Sequence, residues 1–482
     1  MTIWGRIMNR LKEILFSTAR SEYDLKSLTP SALDEFISDC VRVYEGNPWW
    51  IDEDNDVQTV NFARSVCSEI ARLTCMNVEV TIDGSARAKW LQEQYDKYVK
   101  DYARNWVELG CANGTIILKP NGESVDVFPY DRFMITNVEN GRITGAIFID
   151  QKYVPDDEAW YIRLEEHAKD GDKYVVTNKT YKSDSENSLG EEVPIEDSPW
   201  SDMEEEVTIQ NVDGMLFAVF RMPSANNMYF DSPLGLPIFA DALQEIQDLD
   251  VAYSRNAQEI FDSARTVLLD SDRLITTGAK ARVMTLQDRL KEFKLPRFVK
   301  AIEGTGAGDI YHEINPSLNT QTRLVGIENL LSQISFKCGF SNGYFTFNQK
   351  TGMVTATQVE SDDRRTLQLV NDVRAKLEQA LDALFYALDK FADLYGFAPS
   401  GDYEASYDFA DLTLNEEEDR ARWYQYVMAG QIPFWKFLTM FEGFTEDEAK
   451  EIQQLALDER AQQIQMFGGG MEEAPPEEAT EE

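Results

Sequence analysis

The sequence predicts an α+β protein, and three observations carry that class. Apolar residues recur at helical spacing along most of the chain, and one stripe persists from Thr355 to Gly396. A helix of that length spans about 60 Å, well beyond an average globular helix. From Gly114 to Arg221 the period changes to short β-type runs separated by Asn-Gly turn signals, so an antiparallel β unit interrupts a helical chain. At 482 residues, two or more packing units are expected, and 43% hydrophobic residues suffice to build them.

The elements follow in order. Ile3, Ile7, Leu11, Ile14 and Leu15, with Arg6, Arg10 and Lys12 between them, make an amphipathic start without a signal-peptidase site. Such a helix suits a membrane surface, but packing against a neighbouring subunit is preferred. Helices are expected over Ser31 to Tyr44, Asp56 to Leu73 and Ala86 to Leu109. Between the first two, Asn47-Pro-Trp-Trp-Ile51 reads as an aromatic knot that pins helices together. Asp52-Glu-Asp-Asn-Asp56 imitates an EF-hand loop, but Val57 replaces the required glycine and Ala63 the last acidic ligand, which excludes calcium there.

Strands are expected at 115–119, 125–128, 134–136, 146–149, 160–164, 174–178 and 217–221, with Asn121-Gly122 and Asn140-Gly141 as hairpin turns. Ser183 to Glu206 is acidic and serine-rich and reads as a surface excursion that need not be well ordered. Ser232-Pro233 is expected to open a helix running to Phe261. From Arg265 to Lys300 nine basic residues oppose four acidic ones, a local +5 within a chain whose net charge is −39. Lys/Arg runs are usually solvated faces, but against this background the inversion suggests a docking surface for an acidic partner or for phosphates, with Arg289, Lys291, Lys294 and Arg297 as its candidate residues.

Asn315-Pro316 then opens a helix with Leu324, Ile327, Leu331, Ile334 and Cys338 along one face. The period fails over Phe340-Ser-Asn-Gly-Tyr-Phe-Thr-Phe-Asn-Gln-Lys-Thr-Gly352. Its aromatics are too apolar to stay in water together and should pack at the base. Thr355-Ala-Thr-Gln358 forms the capping box of the long helix. Tyr403 to Phe409 is one more strand. Helices follow from Asn415-x-x-Glu418, from Pro433 to Phe441, and from Thr445-x-x-Glu448 to Met466, before an acidic Gly/Pro-rich tail from Gly468.

Composition narrows the chemistry. With 85 acidic and 46 basic residues, nonspecific adhesion to nucleic acid over the whole surface is disfavoured, and acidic walls would let a polyanion slide past. Five cysteines without a C-x-x-C pair, and only two histidines, leave no His/Cys zinc site; the thiols read as reduced and mostly buried in a cytosolic protein. No apolar run reaches transmembrane length. Gly304-Thr-Gly-Ala-Gly308 is not followed by Lys-Ser/Thr and is not a P-loop. Nothing makes a positive case for an enzyme or a bound cofactor.

Gly339-Phe-Ser-Asn-Gly-Tyr-Phe-Thr-Phe347 followed by Thr355-Ala-Thr-Gln-Val-Glu-Ser361 resembles the tunnel loop and long helix of tailed-bacteriophage portal proteins. In one branch of that family the helix opens Thr-Ala-Thr-Glu-Val, and here Gln358 stands for the Glu. The resemblance implies a division of the chain into a helical part of the wing (1–110), an antiparallel β part (111–230), a stem helix (231–262) and a small α/β clip (263–314). It continues with a second stem helix (315–339), the tunnel loop (340–354), the long wing helix with a return strand (355–412), a helical crown (413–467) and a disordered tail (468–482).

The same resemblance implies a ring of twelve subunits at one vertex of a phage head, assembled in the host cytoplasm. Double-stranded DNA would pass through its channel without sequence preference. A separate terminase large subunit would supply the ATP-driven motor, head-completion or adaptor proteins would dock on the clip, and scaffold and major capsid proteins would contact the outside. On this reading Asn348, Gln349, Lys350 and Thr351 face DNA, Arg289, Lys291, Lys294 and Arg297 dock partners, and Leu324, Ile327, Leu331 and Ile334 contact neighbouring subunits. The competing readings are a non-portal scaffold or adaptor built on a long helical bundle, and a membrane-surface or nucleic-acid-binding protein.

Overall fold

The computed structural model describes residues 31–51, 56–122, 124–171, 173–186, 188–262, 266–270, 299–302, 311–314, 319–346, 356–409, 416–429 and 431–467. Outside them lie the amphipathic start, residues 52–55 of the EF-hand imitation, the basic residues Arg289 to Arg297, the Gly304–Gly308 turn, Asn315-Pro316, Asn348 to Thr351, the Thr355 cap and the acidic tail. The chain divides into two compact units, Met1–Ala410 and Asp411–Glu482.

The larger unit begins with α1 (Ser31–Tyr44) and α2 (Phe62–Thr74). The Trp knot between them behaves as its composition suggests: Trp50 is buried and its indole Nε1 donates to Asp250 Oδ2 at 3.0 Å. The helix expected from Asp56 starts only at Phe62. The backbone N–H groups of Gln58 and Val60 are taken by Ser254 Oγ and Asp250 Oδ1, both at 2.9 Å, so they have no helical partner to seek. Strand β1 (Glu79–Gly84) follows, then α3 (Ala86–Tyr98) and α4 (Ala103–Asn113). The apolar pattern predicts a single helix over Ala86 to Leu109; instead the N–H groups of Val99 and Lys100 both close on Tyr95 O. The resulting corner buries Val99, Ala103 and Trp106 together, although neither Gly nor Pro marks it.

The β unit is two sheets rather than one. Strands β2 (Thr115–Pro120) and β3 (Val125–Phe128) form a hairpin. After them come β4 (Phe133–Glu139), β5 (Arg142–Val154), β6 (Ala159–Asp170), β7 (Lys173–Ser183), β8 (Glu191–Val193), β9 (Glu206–Gln210) and β10 (Ala218–Arg221). β10 joins the hairpin in the order β10-β2-β3, while β4-β5-β6-β7-β8 makes an antiparallel meander with β9 also paired to β7. The excursion over Ser183 to Glu206 is therefore structured. It contributes β8, and Leu189, Ile195 and Trp200 are buried, enough apolar anchoring to outweigh the acidic composition.

Period-two alternation gives β6 two distinct faces. Ile162 and Leu164 join Met134, Ile147, Ile149, Tyr181 and Leu189 in one core. Arg163, Glu165 and His167 lie on the other face and form a buried charge cluster. Glu165 Oε2 accepts from Lys119 Nζ of β2 at 2.6 Å and from Arg163 at 2.9 Å, and Oε1 accepts from His167 Nε2 at 2.6 Å. His167 Nδ1 in turn accepts the Tyr174 hydroxyl at 2.8 Å, and the Tyr174 oxygen accepts the Leu216 N–H at 3.2 Å. One carboxylate thus ties the two sheets together.

The helix expected from Ser232 starts late. Residues 232–237 form no regular element, Pro233 and Pro237 restrict the residues before them, and Gly235 N donates to Thr115 Oγ1 at 2.9 Å. At this crossing Gly114 has φ +75, and a Cβ on it would meet Gly235 O at 2.3 Å, so both positions need glycine. The helix α5 then spans Leu243–Asp262. Beyond it β11 (Thr266–Asp270) is the middle strand of a small sheet, parallel to β12 (Val299–Ile302) and antiparallel to β13 (Tyr311–Ile314). α6 (Thr320–Lys337) and α7 (Ala356–Tyr395) follow.

α7 is the spine of the unit. Val370, Val373, Leu377, Leu381, Leu384 and Phe385 are buried along it, and Phe391 packs on the Tyr174, Val212 and Leu216 cluster. It ends at Gly396, whose φ is +65. β14 (Tyr403–Asp408) then returns to pair antiparallel with β1, a strand absent from the elements expected above.

The smaller unit holds α8 (Glu416–Met428), α9 (Phe434–Phe441) and α10 (Glu446–Phe467). The Thr445 capping box forms: Thr445 N donates to Glu448 Oε2 at 3.0 Å, and Glu448 N to Thr445 Oγ1 at 3.5 Å. Phe437, Leu438 and Ala449 are its buried centre.

Candidate channel loop, stem and clip

α5 and α6 are an antiparallel pair clamped at both ends. Lys337 Nζ, at the end of α6, meets Glu245 Oε1 at the start of α5 at 2.6 Å. At the opposite end Arg323 pairs with Glu259, whose Oε1 also accepts the Asn319 N–H at 3.1 Å. The stripe on α6 divides: Ile327, Leu331, Ile334 and Cys338 are buried within the chain, whereas Leu324 is 40% exposed. Val325 and Phe336 are exposed as well, as are Tyr253 and Ile260 on α5.

Of the four residues expected to contact neighbouring subunits, only Leu324 is left exposed, beside Val325, while Ile327, Leu331 and Ile334 are buried within the chain. Leu331→Asp should destabilise the isolated subunit by several kcal/mol, because it buries an uncompensated charge. Leu324→Asp and Val325→Asp should leave subunit melting within about 0.5 kcal/mol of wild type while weakening any assembly. Thermal melting and sedimentation velocity on all three variants check this.

At the end of α6 the chain turns through Gly339, with φ +89, into the aromatic loop. Phe340 is fully buried, and its ring lies 4.8 Å from those of both Tyr344 and Phe345. Phe345 meets Phe62 of α2 edge-on at 5.1 Å, and the Tyr344 hydroxyl donates to Glu69 on the same helix. Ser341 N donates to Thr366 Oγ1 of α7 at 2.9 Å. The loop base is thus pinned to α2 and α7 at once, as expected for aromatics too apolar to face water. The polar tip Asn348 to Thr351 continues from this base, outside the described residues.

The docking of the loop base on α2 has no signal in the sequence. Neither has the cleft beside it, of about 500 Å³, lined by Val60, Asn61, Arg64, Ser65, Ser68, Glu69, Arg72 and Arg104. The residues expected to dock partners, Arg289, Lys291, Lys294 and Arg297, fall in the crossover between β11 and β12, outside the described residues. A parallel pair requires such a long crossover.

The thiols of Cys40, Cys67, Cys111 and Cys338 are buried, and burial pushes each one up; Cys75 is raised to about 11 for the same reason. They stay protonated at neutral pH. Among the described residues no group of His, Cys, Asp or Glu could hold a metal ion. No described helix is long and apolar enough to cross a membrane.

Comparison with known proteins places this arrangement. No curated protein matches the chain. Among the solved structures that resemble it are one titled as the virion of a native gene transfer agent particle and one titled as the neck of that particle computed with C12 symmetry. The first is 12% identical, covers 84% of this chain and 93% of its own, and has a TM-score of 0.41. The second is also 12% identical, with coverages of 86% and 94% and a TM-score of 0.41. The family model described as phage portal protein, SPP1 Gp6-like, matches residues 127–465, from the first β hairpin through the smaller unit. The chain therefore belongs to the phage portal protein family.

Proposed function

We propose that this chain forms the portal ring at one vertex of a phage head, the channel for DNA packaging and ejection. The observation that carries the reading is the family match over residues 127–465, which includes the paired stem helices, the aromatic loop and the long helix. The ring is closed and has twelve copies; its place is the virion, after assembly in the host cytoplasm. It performs no catalysis. A terminase large subunit supplies the motor, a head-completion or adaptor protein binds the clip, and major capsid and scaffold proteins surround the ring.

Within the channel the loop tip touches DNA. One lysine per subunit at Lys350 gives a thin positive belt in an otherwise acidic protein: enough to guide a duplex, too little to hold it by counterion release. Lys350→Glu should assemble normal rings yet package or retain less DNA, as read by the nuclease-protected genome per particle. Protection equal to wild type excludes the loop tip as a DNA contact. On the clip, reversing Lys291, Lys294 and Arg297 to Glu should leave the ring intact and abolish pull-down of the motor or adaptor. Wild-type binding should weaken as salt screens exposed charge.

The direct test of the overall reading is localisation by immunogold labelling of intact particles. A single labelled vertex per head is expected, and label spread over the whole shell or absent from particles would refute it.

A further inference from the structure

We infer that the arginine cleft beside the loop base receives a phosphate of the DNA backbone, and so extends the channel's DNA contact inward from the loop tip. The inference rests on the channel reading above. Its own ground is the composition of the cleft. Arg64, Arg72 and Arg104 converge there with the hydroxyl-bearing Ser65 and Ser68, and Glu69 is the one carboxylate among the lining residues. Three guanidiniums gathered in one concavity are conspicuous in a chain of net charge −39.

The backbone explains the convergence. Arg64, Ser68 and Arg72 repeat at four-residue spacing on α2 and so share one face, and Arg104 enters from the first turn of α4. The acid in the cleft is already committed. Glu69 accepts from Arg72 at 2.8 and 2.6 Å and from the Tyr344 hydroxyl, and hydrogen bonding from Arg72 foremost holds its carboxyl below the usual range.

Arg64 is different. Its side chain is 67% exposed, and the carboxylate it faces, Glu108, is 4.0 Å away and already accepts the Tyr44 hydroxyl. Arg104 is exposed. Asn61, at the start of α2, takes a left-handed conformation, makes no side-chain cap bond and lines the same cleft, which sets the positive end of the helix beside it. Guanidinium forks, hydroxyls and a helix N-terminus together suit a tetrahedral oxyanion.

Position selects DNA as the source of that oxyanion. Tyr344 and Phe345 of the loop base contact Glu69 and Phe62 of α2, so the cleft adjoins the segment whose tip meets the duplex. A phosphate held here would steady the strand without reading its sequence.

The experiment uses purified full-length rings and a fluorescent DNA duplex titrated at several salt concentrations. Arg64→Ala/Arg104→Ala, both exposed positions, should retain the wild-type melting curve and ring. Its duplex affinity should fall about tenfold at low salt, and the slope of log affinity against log salt should become shallower by about 0.9 for each phosphate no longer neutralised. Rings of the double variant that bind with unchanged affinity and slope overturn the inference. So does failure of the variant to form rings, which would make the cleft a contact between copies. Lys350→Ala separates this inference from the reading beneath it. If Lys350→Ala weakens binding and the arginine pair does not, the channel stands and the cleft is excluded.

Discussion

Replacing Arg87 by Ala is expected to cost the larger unit about 3–5 kcal/mol, the range for removing one partner from a buried charged network. Arg87 is fully buried and makes five hydrogen bonds, three to the end of the spine helix and two to the segment just after it. Nη1 donates to Asp389 O at 2.6 Å and to its carboxylate at 2.5 Å; Nη2 donates to Asp393 Oδ1 at 2.6 Å and Ala398 O at 2.8 Å; Nε reaches Pro399 O at 3.2 Å. One guanidinium thus bonds a carbonyl of the last helical turns and two carbonyls of the segment that follows, and pairs with two carboxylates.

Arg87→Lys should recover only part of the loss, since an ammonium cannot span that fork. The network also sets a pH dependence. Hydrogen bonding from Arg87, then from Ser400, holds the Asp393 carboxyl below its ordinary value. Its contribution is present above the unfolded pKa and is lost as pH falls through the folded one. Urea melts of wild type and Arg87→Ala against pH test both points. An Arg87→Ala protein as stable as wild type, or one that keeps the full acid limb, would show that the guanidinium does not hold this terminus.

Glu165→Ala should be comparably severe, because it leaves the Lys119 and Arg163 cations and His167 buried without their shared acceptor. About 3–5 kcal/mol is again the expected loss. Burial acts to raise the Glu165 carboxyl, yet Lys119, His167 and Arg163 outweigh it and keep the group well below the carboxylate range. Burial lowers His167 against the opposing pull of Glu165, so the ring stays neutral, donating through Nε2 and accepting the Tyr174 hydroxyl at Nδ1.

Both groups therefore give stability above their unfolded pKa values and lose it in acid: His167 below the ordinary histidine value, Glu165 at lower pH still. Glu165→Gln keeps the shape and removes the charge, so it should lose less than Glu165→Ala but still leave Lys119 without its carboxylate and Arg163 with Asp150 alone. Thermal melts near neutral pH rank the three proteins. Equal stability of all three would mean that the cluster does not join the sheets.

How far these features are legible in the sequence depends on whether the signal is local. The extent of α1, the long stripe of α7 and the capping box at Thr445 are written in consecutive residues, and the structure follows them closely. Where the expectation fails, a distant partner decides. Gln58 and Val60 look helical until α5 takes their N–H groups, and the non-helical segment after Ser232 is held by Thr115 and Gly114. β1 does carry a local signal, since Val80 and Ile82 alternate with polar residues and are buried, but its partner lies beyond α7.

The site follows the same rule. The aromatic loop and its flanking helices point to the family, whereas the division of the stem stripe into a buried part and an exposed Leu324 requires the packing of α5 on α6. The arginine cleft needs α2 and α4 side by side, and no spacing within either helix announces Arg104.

The central claim is that copies of this chain close around a channel. Electron microscopy of the purified full-length protein, classified without imposed symmetry, tests it most directly. End-on views should show a hollow ring with twelve radial repeats, and side views a narrow stem. A compact monomer or an open filament, over the concentration range at which Leu324→Asp differs from wild type in sedimentation, would contradict it.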